Sequence, residues 1–175
     1  MITLNHVTAD AASMTVERHI FHTDLGKEGG QRLLDWCRTH GADSFTFSVI
    51  GSPPELESEA AAITAPLEPF RIARSRIRVI PEGQPGDRWS NVPVLWELND
   101  ATEAILLRFF PHGLLTYAPT NNVWCEDPCL FRGERLMLGI ISHEGEGILR
   151  IDASERLAFD QSEIPNRRNG EWVGY

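Results

Sequence analysis

Lysine is almost absent from this chain of 175 residues: Lys27 stands alone, and arginine carries the rest of the positive charge. Cysteine is scarce as well, limited to Cys37, Cys125 and Cys129. An odd, low number argues against a disulfide framework and points to a reducing compartment. No stretch approaches the roughly 18 to 20 apolar residues that a membrane-spanning helix needs. The opening residues lack the basic segment and apolar run of a secretory signal. The expectation is a cytoplasmic protein without a membrane role. Basic residues are outnumbered, 16 Lys and Arg against 25 Asp and Glu, which leaves a net charge of −9. Sequence-independent nucleic-acid binding works by neutralising phosphates with Lys and Arg, so that class is set aside. The same balance suits a protein partner, and a basic one best, because opposite potentials steer association.

What is present reads as ordinary globular sequence, 42% apolar and 23% charged. A chain of this length can bury roughly 70% of its unfolded surface, enough for a core without disulfide or metal. Residues 1–175 are read as one globular domain with a polar C-terminal tail from about residue 160. No internal repeat or low-complexity tract divides it.

The stretch 135–151 organises the rest. Residues 136–141 read as a strand apolar on both faces, with Leu136, Leu138 and Ile140 on one side and Met137 and Ile141 on the other. Such a strand belongs in the middle of a covered sheet. It ends in the polar turn His143-Glu144-Gly145-Glu146-Gly147, and a second strand returns over 148–151.

In chain order, 14–22 reads as a strand. A helix is expected over 30–40, with Leu33, Leu34, Trp36 and Cys37 on its apolar side and Gly41 just past its end. Residues 44–50 alternate cleanly, with Phe45, Phe47 and Val49 on one face. Ser52, Pro53 and Glu55 announce a second helix through a capping box, and it ends before Pro66. A long strand is expected over 70–80, then a Pro/Gly-rich loop with Trp89. Strands are expected over 92–98 and 104–110, the latter turning through Pro111-His112-Gly113 into a returning strand at 114–117. Residues 118–134 read as a long connection and 152–160 as a short helix. The sum is an α+β fold: a helix-containing N-terminal half packed with a mainly antiparallel C-terminal sheet.

Several clusters could carry chemistry. Cys125 and Cys129, four positions apart, could ligate zinc with His112 and His143 on nearby turns, although the spacing is not that of the common Cys-x2-Cys knuckle. Ser142-His143-Glu144 has triad residue types, but triad members come from separate segments, so at most His143 or Glu144 serves as a general base. His19 and His22 point to opposite faces of a strand. Gly26-Lys27-Glu28-Gly29-Gly30 precedes a helix without the residue order of a P-loop. Arg74, Arg76 and Arg78 fall on one face of the 70–80 strand, roughly 7 Å apart, and could meet an anionic ligand or an acidic partner. Trp36 and Trp96 look like core. Trp89, Trp124 and Trp172 sit in polar surroundings, where tryptophan is an interface hot spot or a loop anchor. Trp124 beside Glu126 and Asp127 makes an aromatic, acidic contact patch.

The preferred reading is a small acidic protein-binding module of inhibitor, immunity or adaptor kind, monomeric or homodimeric, with no cofactor. Trp124, Glu126, Asp127, Arg74, Arg76 and Arg78 are its candidate contact residues. The alternative is a small hydrolytic or metal-assisted enzyme built on the His112, His143 and Glu144 loops, with Cys125 and Cys129 as further metal ligands.

Overall fold

The computed structural model describes residues 16–22, 25–73, 77–78, 89–90, 94–116, 122–168 and 171–173. Its strands are β1 (Val16–His22), β2 (Ser44–Gly51), β3 (Arg71–Ile72), β4 (Ile77–Arg78), β5 (Trp89–Ser90), β6 (Leu95–Glu97), β7 (Val123–Arg132), β8 (Arg135–Ile141), β9 (Glu146–Asp152), β10 (Asn166–Arg168) and β11 (Glu171–Val173). The helices are α1 (Gly26–Thr39), α2 (Glu55–Thr64), α3 (Asp100–Phe109) and α4 (Arg156–Asp160). The fold is α+β, as expected. One sheet runs in the order β11-β10-β1-β9-β8-β7-β2-β6-β3, and β4 joins it at β8 and carries β5. Every pairing is antiparallel except the β4–β8 contact of Arg78 with Arg135. Among the described residues no helix is long and apolar enough to cross a membrane.

β8 is the middle strand of that path, and apolar groups cover both faces near it. Met137, Leu138 and Ile140 enter the main core, while Leu136 packs with Leu95 and Phe131 in a smaller cluster. The simple alternation expected for β8 fails at Met137. Leu130 faces Leu138 and Phe131 faces Leu136, so Met137 is an extra residue that shifts the register.

α1 buries the four side chains expected of it, Leu33, Leu34, Trp36 and Cys37. It ends at Gly41, where the Ala42 N–H reaches the Cys37 carbonyl and the Gly41 N–H that of Arg38. Its start is four residues earlier than the periodicity predicts, so the glycines once readable as an anion loop form its first turns. Their small size lets α1 approach the turn at 111–115. A Cβ on Gly30 would lie 3.4 Å from the Leu114 backbone nitrogen, and one on Gly113 would lie 3.2 Å from the Gly26 carbonyl oxygen.

Four expectations are corrected. Residues 104–110 are helical, not a strand, because Asn99 caps α3. Its side chain accepts from the Ala101 and Thr102 N–H groups while Thr102 Oγ1 accepts from the Asn99 N–H. The hairpin with 114–117 therefore does not form, although Pro111 and Gly113 do occupy the expected turn positions, with the Gly113 N–H bonded to the Phe110 carbonyl. Residues 123–132 of the expected long connection are a ten-residue strand, β7, lying between β2 and β8. The 70–80 strand is replaced by β3 and β4, which pair with different neighbours. At α2 the expected Ser52 cap is missing: the helix starts after Pro54 with no side-chain cap.

β7 accommodates Pro128, which has no N–H to give a ladder, in a bulge. Thr46 faces Cys129 and Ser48 faces Glu126, so Asp127 and Pro128 together oppose Phe47. Asp127 has φ 52°, a left-handed conformation that Asp tolerates better than most residues. Ser142 holds it there by a reciprocal pair of bonds. The Asp127 N–H donates to Ser142 Oγ at 2.8 Å, and the Ser142 N–H donates to Asp127 Oδ1 at 2.7 Å.

Ser142 is buried, so Ser142→Ala leaves the Asp127 N–H without its acceptor and is expected to destabilise the fold by about 1–3 kcal/mol. Asp127→Asn keeps an oxygen acceptor and left-handed tolerance, and its cost should be clearly smaller. Urea denaturation of both variants checks this; equal midpoints for Ser142→Ala and the parent would remove the pair from any structural role.

Candidate functional site

Where α3 ends against the start of β7, the surface carries a recess of about 210 Å³. Ile63, Phe109, Phe110, Pro111, Val123 and Trp124 form apolar walls, and Arg108, His112, Thr116 and Cys125 complete the lining. Three residues singled out in the sequence, His112, Trp124 and Cys125, thus meet here from two separate segments.

Each wall has a local cause. The α3 cap fixes the helix register, and Phe47 of β2 anchors its far end, lying 5.4 Å from the Phe109 ring and 6.3 Å from that of Phe110. The turn that follows is tied by the Thr116 N–H to the Gly113 carbonyl and by Thr116 Oγ1 to the His112 carbonyl, each at 3.1 Å. That leaves the His112 side chain exposed. The β7 wall is set by pairing with β2, Val123 opposite Gly51, Trp124 opposite Ile50 and Cys125 opposite Val49. Trp124 Nε1 donates to Glu126 Oε2 over a long 3.4 Å.

Size and polarity define what fits. The volume is below the roughly 300–1,000 Å³ of sites that enclose a drug-sized ligand, so the recess accepts a group of about one side chain. Arg108 is exposed and has no ion-pair partner among the described residues, whereas Arg38, Arg71, Arg132, Arg135 and Arg156 each lie within 4.0 Å of a carboxylate. No Asp or Glu occurs between Ala104 and Cys125.

The other candidates are dispersed. Cys125 packs against the main core and Cys129 against the smaller cluster. Four positions along a regular strand would put both thiols on one face, but the bulge at Asp127 and Pro128 inserts a residue and separates them. Burial pushes the Cys125 thiol up to about 12. Cys129 is pushed up to about 11, chiefly by burial and with a contribution from Asp127, against a backbone bond with Ile140. Among the described residues, no three His, Cys, Asp or Glu side chains gather in a metal-binding group.

His143 and Glu144 stand on the short turn between β8 and β9, over half exposed, with Nε2 and Oε1 4.0 Å apart. The Ser142 hydroxyl beside them is engaged by the Asp127 N–H. Asp127 itself is turned into the bulge by the Ser142 N–H. Arg74 and Arg76 lie outside the described residues, as do the side chains of Arg78, Trp89 and Trp172. His19 is buried with Nδ1 2.9 Å from Asn166 Oδ1. Trp36 and Trp96 are core, as expected.

The sequence does not single out Arg108, Phe109 and Phe110, because 104–110 reads as a strand, or Thr116, which falls on the expected returning strand 114–117. The available signal was Asn99 followed three residues later by Thr102, a helix start. A second, wider depression of about 250 Å³ lies along α1 beside Trp36, His40 and Ser162. There Trp36 and His40 are stacked on each other at 3.9 Å, which commits its aromatic groups internally.

Comparison of the chain with family models, curated proteins and solved structures finds no match.

Because the thiolate is the reactive form, the raised Cys125 and Cys129 thiols hold their protons past the range of a free cysteine near 8.5. Site-resolved alkylation of the folded protein should keep accelerating through about pH 10, where a free thiol has levelled off. A plateau below about pH 9 at either cysteine would contradict the burial that the fold imposes.

Proposed function

We propose that the protein is a protein-binding module, of inhibitor, immunity or adaptor kind, whose contact face centres on the recess between α3 and β7. The observation that carries this reading is the convergence of Arg108, His112 and Trp124 around one small surface recess of mixed polarity. Tryptophan and arginine dominate interface hot spots because they bury a large area around a fixed polar handle. A recess of single-residue size gives such a face an anchor point without enclosing a substrate. The net charge of −9 favours a basic partner by steering the encounter.

The alternative, a hydrolytic or metal-assisted enzyme on His112, His143 and Glu144, has less support. His112 lines the recess, whereas His143 and Glu144 sit on a separate turn and Ser142 is committed to the bulge.

Native mass spectrometry of complexes purified gently from the source cells tests the reading. The parent and the surface control Leu157→Ala, altered at an exposed α4 position, are expected to carry a stoichiometric second protein. Trp124→Ala should lower its occupancy roughly tenfold or more, the size of a hot-spot loss. A partner retained in full by Trp124→Ala overturns the face. Hydrolysis of a substrate abolished by His143→Ala overturns the reading itself.

A further inference from the structure

We propose that the recess is a receptor for a chain terminus: it takes the C-terminal residue of the partner, with an aromatic or branched apolar side chain inside and the terminal carboxylate on Arg108. The proposal rests on the protein-binding reading and specifies its chemistry.

Three features select that occupant. The walls from Phe109, Val123 and Trp124 ask for an apolar body, and about 210 Å³ limits it to one side chain. Arg108 offers an exposed guanidinium with no ion-pair partner among the described residues. Its planar fork matches a carboxylate bidentately. The exposed His112 ring stands on the same rim as a further hydrogen-bonding group. The segment from Ala104 to Cys125 carries no acidic residue, and the carboxylate of Glu126 is engaged by Trp124 Nε1.

An internal Asp or Glu brings a carboxylate but leaves the aromatic walls facing a polar stem. An internal Phe or Leu fills the walls but leaves Arg108 unmatched. A C-terminal Phe or Leu supplies both from one residue. The C-terminal end of α3 disfavours an anion by its dipole, and Arg108 in that last turn is the cation that offsets it.

Fluorescence anisotropy of the full chain with a dye-labelled tetrapeptide, Gly-Ser-Ala-Phe, tests this, using the free-acid and C-terminal amide forms. The free acid is expected to bind saturably and the amide roughly tenfold more weakly, the effect of losing a charge-assisted fork. Arg108→Ala should bring the acid down to the level of the amide, and Arg108→Lys should recover part of the difference. Arg108 is exposed, so its replacement leaves the core intact, and unchanged urea midpoints for both variants confirm this. Equal binding of acid and amide, or no saturable binding of either, overturns the proposal. Phenylpropionate competing as strongly as the peptide also overturns it, since the occupant is then a free acid and not a chain end. A negative peptide result beside Trp124-dependent retention of a whole partner removes the terminus alone and leaves the binding module standing.

Discussion

The exchange of hydrogen bonds between Asp127 and Ser142 is the constraint on which the rest of the structure depends. It fixes one extra residue in β7, and a strand with one extra residue reverses the facing of everything beyond it. On one side of the bulge Cys125 joins the main core and Trp124 forms a wall of the recess; on the other, Cys129 and Phe131 face the smaller cluster. The single residue opposite the bulge is Phe47. Its ring stacks on Trp96 at 4.9 Å and meets Phe109 and Phe110, so the bulge also sets where α3 ends. Ser142 is delivered by the end of the central strand, which couples the turn after β8 to the recess through packed side chains.

Two further constraints keep that geometry rigid. Small residues allow α1 to press on the 111–115 turn, with Gly30 near Leu114 and Gly113 near the start of the helix. Larger side chains there would lift His112 and the recess rim away from the core. At the other end of β7, Arg132 bonds both oxygens of Glu155, at 2.8 and 3.3 Å, and lies 3.6 Å from Asp152. The Gly133 N–H is held by Asp43 at 2.9 Å. The β7–β8 turn is thereby clamped to the end of β9 and to the segment before β2. A binding face needs its anchor recess on elements of this kind, because ordering a mobile loop at the moment of association consumes affinity.

How much of this the sequence disclosed follows from which signals are local. α1, β2 and the β8–β9 pair were legible because periodicity and punctuation agree there: alternating Phe45, Phe47 and Val49, the apolar side of α1, and Gly41 after it. The segment 104–110 reads as a strand because a short apolar run looks alike in a strand and a helix, and what decides is the side-chain cap of Asn99, which lies outside the run. β7 was hidden because Glu126, Asp127 and Pro128 have the composition of a loop. Their place in a strand depends on Ser142, fifteen residues on in sequence. The pairing of Cys125 with Cys129 failed for the same reason, since a bulge cannot be seen in spacing. The sequence groups His112 with Cys125, Cys129 and His143, and Trp124 with Glu126 and Asp127. Only the tertiary fold puts Arg108 beside His112 and Trp124.

The charge distribution separates two length scales in recognition. At physiological ionic strength exposed charges are screened beyond about 8 Å, so the net charge of −9 acts on approach and Arg108 acts only on contact. A small free anion is disfavoured by the first field before it can profit from the second. In the binding proposed above, a basic partner is drawn in by the first, and its terminal carboxylate then meets residues 104–125, a segment without acids. On that proposal, a net negative chain whose recess presents Arg108 would discriminate against isolated carboxylates while accepting one carried on a basic body. The half-buried Cys125 thiol, whose pKa burial pushes up to about 12, would add to this by presenting a neutral wall where a thiolate would repel an anion.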